Sequence, residues 1–577
     1  MLPPHRPRRK PAARPAFLAP LWDDDHPALR RIDPTLPADH HARWLVRVVS
    51  HLDLTALRLS YAGYGSLAYP VELLLAFVLF MYSRGLLCPA EWARQARYDD
   101  QSKWLLRGLQ PSRSRLYAFR DRLGPFIDDW HKQLIAWAVL EGITTASHGS
   151  LDGPFVAALA SRHQLLTAGR LDRRLLLLRL LVWFDENSDG EQAPRRQDLP
   201  EMLLSTTVLW LELLNRGLPA SGLLQTVLCL LALLELLCPE SAWPRQPLLP
   251  GWVPASVAGR KRVLRRYEEA RQRLTLRMQP YQRKHKLSKK GQRTLKNLKV
   301  SPTDPEAALG YDKVGTYRPL FNVPLVQDTQ SQLTLAWEVL PRNNDDGLLR
   351  PMLEKARAQL GRHLQDVRAD GAFVSVADVA WCEREGITVY GPPSQAEKAD
   401  RGPGPKGAAG KQKKLPKEAF RYDSQEGVYY CPQGKRLEEA FRTAEKRPNG
   451  LELPVIVHRA SGQDCQECPR QKGCTSNPKK GRVVKRYQGE EALERLRQRM
   501  EEPASKAEYR QRCRSVELGY ADIKEHRGLR LFRCFGIKRA RTQAGLVILA
   551  SNGLKVMAAL RRRHDEKPGP PQEKPPD

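Results

Sequence analysis

Apolar residues recur at helical spacing through the first part of the chain, beginning near Ala42. Steps of three and four residues return a side chain to the same helix face, so WLVRVVSHLDL and PVELLLAFVLFMYSRG predict consecutive helices. Pro70 suits the first turn of the second helix, and Gly85 suits its end. We predict an all-helical N-terminal domain over residues 31–145, behind a disordered basic tail over residues 1–30.

The pattern changes after this domain, where GITTASHGSLDG predicts a short strand that stops at Asp152. Leucine-rich and basic segments over residues 162–300 predict a large helical insertion. Beyond it, alternating apolar and polar residues around Asp328 predict a strand-turn-strand unit, followed by a helix and a strand that ends at Asp370. A further helix and strand complete a β-β-α-β-α-β order, which indicates a layered α/β core.

The C-terminal part of the chain has three distinct compositions. Residues 391–418 are rich in glycine, proline and lysine, which is typical of a flexible linker, and we predict that residues 391–490 form an insertion of linker and cysteine-containing module. The segment RTQAGLVILASNGLKVMAALRRR predicts an amphipathic helix that covers the sheet. We expect the proline-rich tail, residues 565–577, to be disordered.

The most apolar run, Leu223 to Cys238, is shorter than the roughly 20 residues that a membrane span needs, and it contains Gln225 and Glu235. A buried core helix explains it better. The basic, proline-rich N-terminus has no apolar run behind it, which disfavours a signal peptide. We therefore expect no membrane association.

The charge balance favours a polyanionic partner. Lys and Arg total 95 against 64 Asp and Glu, giving a net charge of +31, and nucleic acid is the usual partner of so basic a chain. Pro111-Ser112 before an apolar and basic helix is typical of a helix-turn-helix, in which Arg113 and Arg115, with Arg120 and Arg122, could contact phosphates or base edges. A plain helical bundle with a basic surface is the alternative.

Four of the ten cysteines have the spacing of metal ligands: Cys431, Cys465, Cys468 and Cys474. Four thiolates suit tetrahedral zinc, and a site with no open coordination position would stabilise the fold and not catalyse. His458 could replace one ligand, and incidental free cysteines are the alternative. Ten cysteines are too few for a disulfide scaffold of this length, so we expect a reducing cytoplasm.

Three acids have distinctive surroundings. Asp152 and Asp370 end predicted strands, although Asp-Gly-Pro is also a common turn. Glu517 lies on the predicted basic helix YRQRCRSVELGYADIK, where helical spacing places Tyr509, Arg512, Glu517, Tyr520 and Lys524 on or near one side. A carboxylate among cations suits a metal-assisted phosphate enzyme, whereas a solvated helix with ordinary ion pairs is the alternative.

These blocks, taken in order, resemble the DDE transposases of bacterial insertion sequences, in the branch with a cysteine cluster ahead of the catalytic glutamate. The likeness rests on the N-terminal helical blocks, LDGPFVAALAS, NNDDGLLRPML, ADGAF, CQECPRQKGC and YRQRCRSVELGYADIKEHRGLRLFRCFGIKRA. It covers roughly residues 40–160 and 300–560. No single block is specific, but their order is.

The resemblance implies a ribonuclease H-like mixed sheet flanked by helices, over residues 146–564, with the helical insertion and a small zinc-ribbon-like insertion. It implies a catalytic triad of Asp152, Asp370 and Glu517 that binds two Mg²⁺ ions. Tyr509, Arg512 and Lys524 would match the signature around the third acid and contact DNA.

The implied activity is metal-dependent cleavage of double-stranded DNA at the ends of a mobile element and strand transfer into target DNA. A homodimer at the synapse, acting in the bacterial cytoplasm at the nucleoid, is expected. The chain departs from the family pattern in having four residues between Arg512 and Glu517, Pro154 after the Asp-Gly pair, and Ala372-Phe373 where Gly-Tyr is more usual.

Three other interpretations stay open. A catalytically inactive, transposase-derived DNA-binding protein would keep the basic surface and the cysteine module. A nuclease of another class would cleave without joining strands. A helical solenoid is disfavoured by the β-rich section from 320 to 392 and by the lack of an internal repeat.

Overall fold

The computed structural model describes residues 16–61, 66–187, 251–282, 287–312, 314–392, 415–446 and 452–565. The apolar run 223–238, most of the predicted linker 391–418 and nearly all of the C-terminal tail lie outside the described residues, as does the first half of the N-terminal tail.

The helices, numbered in chain order, are α1 (Pro27–Ile32), α2 (His41–Ser50), α3 (Thr55–Leu59), α4 (Val71–Ser83), α5 (Pro89–Tyr98), α6 (Asp100–Leu105), α7 (Arg113–Leu123), α8 (Ile127–Leu140), α9 (Ala168–Asn187), α10 (Val257–Gln282), α11 (Lys289–Asn297), α12 (Leu349–Leu360), α13 (Val376–Arg384), α14 (Gly462–Gln466), α15 (Gln471–Cys474), α16 (Glu490–Arg499), α17 (Pro503–Ala521) and α18 (Ile537–Asp565). A π-helical turn, Asp522–His526, continues α17.

The strands are β1 (His148–Asp152), β2 (Phe155–Ala157), β3 (Leu166–Thr167), β4 (Lys299–Val300), β5 (Ala308–Tyr311), β6 (Tyr317–Asn322), β7 (Leu325–Asp328), β8 (Thr334–Trp337), β9 (Asp366–Ala369), β10 (Thr388–Tyr390), β11 (Arg421–Asp423), β12 (Val428–Tyr430), β13 (Arg436–Lys446), β14 (Glu452–Ala460) and β15 (Val483–Tyr487).

The described residues divide into two compact units. The first comprises the residues up to Val156, Asn322–Arg533 and the residues from Lys538 onward. The second comprises Ala157–Phe321 and Cys534–Ile537. All of the site residues predicted from the sequence lie in the first unit.

The N-terminal helices of the first unit follow the predicted pattern. Pro70 directly precedes α4, where its fixed backbone angle suits a helix start. From Leu74 to Ser83 every residue of α4 is buried, which accounts for its continuous apolar sequence. Gly85 follows the helix with a φ of +72°, a conformation that glycine adopts at little cost.

The central sheet of the first unit has five strands in the order β10-β9-β1-β7-β8. Strands β10, β9 and β1 are parallel, whereas β7 pairs antiparallel with both β1 and β8, so the sheet is mixed. The predicted turn between β7 and β8 is held by Asp328, whose carboxylate accepts hydrogen bonds from Thr144 and Ser331. All of these hydrogen bonds go to Oδ2 of Asp328, whereas its buried Oδ1 has no hydrogen-bond partner among the described residues.

Helix α17 packs along this sheet through small and polar side chains. The hydroxyl of Ser515 donates to the hydroxyl of Ser150 on β1 over 2.8 Å. A Cβ at Gly519 would lie 2.1 Å from the amide nitrogen of Gln327 on β7, so glycine permits the close approach. Arg368 on β9 forms an ion pair with Glu508. These contacts fix which face of α17 lies on the sheet.

Helix α18 is a core helix. Every residue from Thr542 to Leu554 is buried, which differs from the predicted amphipathic helix. Its polar side chains have partners inside: Asn552 exchanges two hydrogen bonds of 2.9 Å with the backbone of Thr334 on β8. Among the described residues, α18 alone has the length and mean hydropathy of a membrane span, but 78% of its apolar window is buried in the protein.

The cysteine-containing module is a five-stranded antiparallel sheet in the order β11-β12-β13-β14-β15. Its long central strands β13 and β14 make it larger than the small zinc-ribbon-like insertion expected from the cysteine spacing. Its core includes Phe420, Tyr429, Leu437 and Val484, with Cys474 among them.

The second unit is built around α9 and α10. Leucines of α9 pack against Tyr267 and Leu274 of α10, and the helices are joined by ion pairs of 2.5 Å between Arg260 and Asp185 and between Arg271 and Asp172. The basic tract before β4 forms α11, which exposes cationic side chains.

Candidate active site

Asp152 and Asp370 meet at one edge of the central sheet. Leu151 of β1 is the register partner of Ala369 of β9, so the two aspartates are the next residues along neighbouring parallel strands. Adjacent strands lie about 4.8 Å apart, and equivalent residues point to the same face. That face carries α17, because Ser150, two residues before Asp152, contacts Ser515. The two carboxylates are therefore neighbours, as the strand-end prediction requires.

Each of these aspartates begins a turn with glycine next to it. The carboxylate of Asp152 accepts a hydrogen bond of 2.8 Å from the Gly153 backbone, and that of Asp370 accepts one of 2.6 Å from Gly371. Aspartate commonly makes such local bonds where a strand gives way to a loop. Solvent reaches both side chains, since Asp370 is exposed and the Asp152 side chain is 22% exposed.

Arg512 and Tyr509, both on α17, lie near the two aspartates. A guanidinium nitrogen of Arg512 lies 3.5 Å from a carboxylate oxygen of Asp152. The Nε atom of Arg512 is buried and has no hydrogen-bond partner among the described residues. Burial raises the pKa of Tyr509, with the charges of Asp370 and Asp152 adding to the rise and that of Arg512 opposing it.

Tyr520 lies on the same side of α17 as Arg512. Burial raises its pKa far above the usual value, and the charges of Asp152 and Asp345 add to this effect. The ammonium of Lys524 lies 5.4 Å from the centroid of the Tyr520 ring. Lys524 is thereby held near the same edge of the sheet by a cation-π contact.

Asp345 is a further acidic residue at this edge of the sheet, and the sequence did not predict it as a site residue. Its carboxylate accepts a 2.6 Å hydrogen bond from the side-chain amide of Asn322. Burial raises the pKa of Asp345 to about 6, and the carboxylates of Asp152 and Asp370 contribute to the rise. Its sequence signal was the polar run Asn343 to Asp346 directly before α12, which we had noted only as part of the family likeness.

Glu517 lies on α17, but its side chain does not take part in the contacts that α17 makes near Asp152 and Asp370. Its side chain is exposed, and the structure describes no hydrogen bond or ion pair for its carboxylate. The residues of α17 that face the sheet are Ser515, Val516 and Gly519. At 100° per residue, Glu517 projects about 60° further round the helix than Tyr520. Of the three predicted acids, the fold brings two together and leaves the third on the helix flank.

The predicted DNA-contacting arginines lie on α7. Arg113 and Arg115 are exposed, and Arg115 donates to Ser66 over 3.1 Å. Ser112 caps the helix by accepting from the backbone of Arg115, as its position before the helix suggested. Arg120, which we had included among the arginines available to DNA, is only 3% exposed and pairs with Asp121, so that prediction is wrong.

The four predicted cysteine ligands lie close together. Burial raises the pKa of Cys474, and the thiols of Cys465, Cys468 and Cys431 add to the rise. Backbone N–H groups point at two of the sulfurs, from Gln433 to Cys431 and from Arg482 to Cys465, each over 3.4 Å. His458 is buried among the aromatic rings of Tyr422 and Tyr429, which makes it a core residue.

Neither the cysteines nor the aspartates are arranged at the distances of metal ligands. Within the described ranges, no group of three or more His, Cys, Asp or Glu side chains is arranged to hold a metal ion. This applies both to the cysteines and to the aspartates at the sheet edge.

A mixed sheet with neighbouring aspartates at its strand ends, crossed by a cation-bearing helix, is compatible with a ribonuclease H-like DDE domain. Residues 430–558 match the family described as transposase DDE domain. The resemblance to DDE transposases is thus confirmed over the segment that carries the cysteines, Tyr509, Arg512, Glu517 and Lys524. No curated protein and no solved structure matches the chain.

Proposed function

We propose that the protein is a transposase that cleaves DNA at the ends of a mobile element and joins those ends to target DNA. The observation that carries the proposal is that α17, within the matched segment, places Arg512 over Asp152, which lies outside that segment and beside Asp370. Two parts of the chain, far apart in sequence, thereby contribute to one site.

Asp152 and Asp370 are proposed to hold the catalytic Mg²⁺ ions. Carboxylate oxygens that retain free lone pairs at an accessible edge are the ligands that Mg²⁺ prefers. Two divalent cations bound there would lower the pKa of an attacking water or 3′-hydroxyl and stabilise the leaving oxygen. The protein's own contribution is to fix the two carboxylates through the register of β1 and β9.

Arg512, Lys524 and Tyr509 are proposed to bind the DNA strand. The buried Nε of Arg512 has no partner within the part of the chain that the structure describes, so Arg512 could turn from Asp152 towards a phosphate once a cation neutralises that carboxylate. Lys524, stacked on Tyr520, adds positive charge at the same edge. The Tyr509 ring offers a stacking surface for a nucleotide at the cleavage site.

Glu517 is proposed as the third carboxylate of the centre. It follows Arg512 by five residues, or about 7.5 Å of helix rise, on the helix that borders the aspartates. An exposed glutamate side chain is free to change rotamer when a cation and a phosphate arrive. Its present outward position equally favours the alternative of a catalytically inactive DNA-binding protein, which the experiment below separates.

The N-terminal helical domain is proposed to grip DNA through the exposed arginines Arg113 and Arg115. The excess of cations over the whole chain supports a phosphate-binding role. Two element ends must be brought together, so we propose a homodimer at the synapse, acting in the cytoplasm.

Cys431, Cys465, Cys468 and Cys474 are proposed to hold a structural zinc ion. Their closeness and the two N–H···S contacts support this, because such contacts stabilise thiolate charge. Metal content measured on the purified protein tests it. Cys468→Ser should lose the zinc that wild type carries, whereas Cys88→Ser, at a half-buried thiol outside the module, should keep it.

The proposed function is tested with a duplex that carries the DNA flanking the coding sequence on both sides. Wild type should nick it in Mg²⁺ and join the ends to a second plasmid. Asp370→Ala should abolish cleavage while leaving retention of the duplex in a gel shift nearly unchanged. Binding without metal-dependent cleavage by wild type would favour the inactive protein, and cleavage without joining would favour a nuclease of another class.

A further inference from the structure

The loop that contains Asp345 reaches the edge of the sheet and is held there by hydrogen bonds. The side-chain amide of Asn322, the last residue of β6, donates to Asp345 over 2.6 Å and to the backbone of Asn344 over 2.9 Å. The backbone of Asn322 also exchanges two hydrogen bonds with Leu340, at the start of the same loop. Asp345 is thus held by a fully buried residue and not by chance surface packing.

The carboxylate of Asp345 lies against the turn that follows Asp152. A Cβ at Gly153 would come within 2.5 Å of Oδ1 of Asp345 and 2.7 Å of Oδ1 of Asn322. Real Cβ atoms do not approach oxygen so closely, so the glycine leaves the space that Asp345 occupies. The second residue of the Asp-Gly pair therefore admits a further carboxylate beside the first.

Two buried polar groups at this place lack protein partners. The Oδ1 atom of Asn322, which is 0% exposed, and the hydroxyl of Tyr520, which is 6% exposed, have no hydrogen-bond partner among the described residues. The Tyr520 hydroxyl lies within electrostatic range of both Asp152 and Asp345. Buried polar groups are nearly always satisfied, so this pair indicates water or ligand oxygen atoms between the aspartates and the helix.

The negative charges of Asp152 and Asp370 act unfavourably on that of Asp345, and a cation among the three carboxylates would relieve this repulsion. We infer that Asp345 is a further cation ligand of the centre, binding a divalent metal ion together with Asp152 and Asp370. The inference rests on the proposed function and adds a residue to its site. Asn322 and Gly153 then act as positioning residues, and the Tyr520 hydroxyl would be free to donate to a DNA phosphate bound there.

The test compares wild type, Asp345→Asn and, as a matched control one residue later, Asp346→Asn. Mn²⁺ binding is measured by calorimetry on the full chain without DNA, and cleavage of the flanking-DNA duplex is followed over a range of Mg²⁺ concentrations. Asp345→Asn should weaken Mn²⁺ binding by about tenfold or more and raise the Mg²⁺ concentration for half-maximal cleavage to a similar degree. Asp346→Asn should match wild type in both.

Thermal unfolding of each variant shows whether the substitution causes a folding defect. Asparagine has the shape of aspartate and removes repulsion, so metal-free Asp345→Asn should unfold at the wild-type temperature or above, while Mn²⁺ should stabilise it less than wild type. Asp345→Glu, which keeps the charge, should retain more Mn²⁺ affinity than Asp345→Asn.

The proposed function and the role of Asp345 can be disproved independently of each other. Absence of cleavage by wild type in any divalent metal would remove the proposed function. Equal Mn²⁺ affinity in wild type, Asp345→Asn and Asp345→Glu would overturn the role of Asp345, whatever the cleavage result.

Discussion

A guanidinium nitrogen of Arg512 lies 3.5 Å from a carboxylate oxygen of Asp152, and this contact joins α17, within the segment that matches the family, to β1 of the central sheet. The contact is 15% exposed on the arginine side and 22% on the aspartate side. The pair is therefore mostly removed from solvent, and the buried Nε of Arg512 has no hydrogen-bond partner among the described residues.

The first prediction concerns this arginine. Arg512→Ala should lower the cleavage rate of the flanking-DNA duplex by about 10²-fold, the usual loss when one donor to a developing charge is removed. Arg510→Ala, at an exposed position on the opposite side of α17, should cleave at nearly the wild-type rate. Equal losses in the two variants would assign Arg512 to general DNA attraction and not to the site.

The second prediction concerns the approach of α17 to the sheet. Gly519→Ala would place a methyl group 2.1 Å from the amide nitrogen of the buried Gln327, so that side chain must shift within the core or the helix must move away from the strand. The free energy of unfolding should fall by about 1–3 kcal/mol. Urea denaturation measures this, and Gly473→Ala, where nothing lies within 4 Å, is the control. Equal stability of both variants would show that α17 does not pack so closely.

The third prediction concerns pH. Burial lowers the pKa of His131 from 6.5 to about 4, and its Nε2 lies 2.7 Å from the backbone oxygen of Thr334. The unfolded chain therefore binds a proton between these values while the folded chain does not. Stability from this group is complete above pH 6.5 and is lost as the pH falls towards 4, by on the order of 3 kcal/mol.

The measurement for His131 is the free energy of unfolding of wild type and His131→Gln over this pH range. The difference between the two proteins should shrink as the pH falls, because glutamine does not titrate. A difference that stays constant with pH would show that His131 is not kept neutral by the fold.

The fourth prediction concerns the third acid. If Glu517 joins the centre when DNA and cation bind, Glu517→Gln should lose cleavage about as fully as Asp370→Ala, while Glu525→Gln, at an exposed acid in the π-helical turn after α17, should retain it. Full cleavage by Glu517→Gln would leave Asp152, Asp370 and Asp345 as the carboxylates of the site.

Strand ends were predictable from the sequence because alternation of apolar residues stops at Asp152 and at Asp370, and glycine follows each. Their closeness was expected only from the family resemblance, because in the fold it depends on the parallel pairing of β1 with β9. Asp345 escaped notice for the same reason: only the fold brings its polar loop onto Gly153.

Helical spacing alone placed Tyr509, Arg512, Glu517, Tyr520 and Lys524 on or near one side of a helix. The orientation of α17 is decided instead by Ser515 and Gly519, whose small side chains permit close packing on the sheet. The spacing therefore identified the helix and several of its site residues but not the direction in which Glu517 points.

Two other differences have physical causes. Polar residues such as Gln543 and Asn552 made α18 resemble an amphipathic surface helix, yet both are fully buried and hydrogen-bonded. The many charged residues of β13 concealed a strand whose residues from Glu438 to Ala444 are all exposed, so a five-stranded sheet is found where a small module was expected.

The most direct test of the central claim is cleavage of the flanking-DNA duplex by Asp152→Cys and Asp370→Cys in Mg²⁺ and in Mn²⁺. A thiolate is a poor ligand for Mg²⁺ and is better tolerated by the softer Mn²⁺. If both aspartates bind the catalytic cations, each variant should be inactive in Mg²⁺ and recover cleavage in Mn²⁺. Wild-type cleavage by these variants in Mg²⁺ would contradict the account.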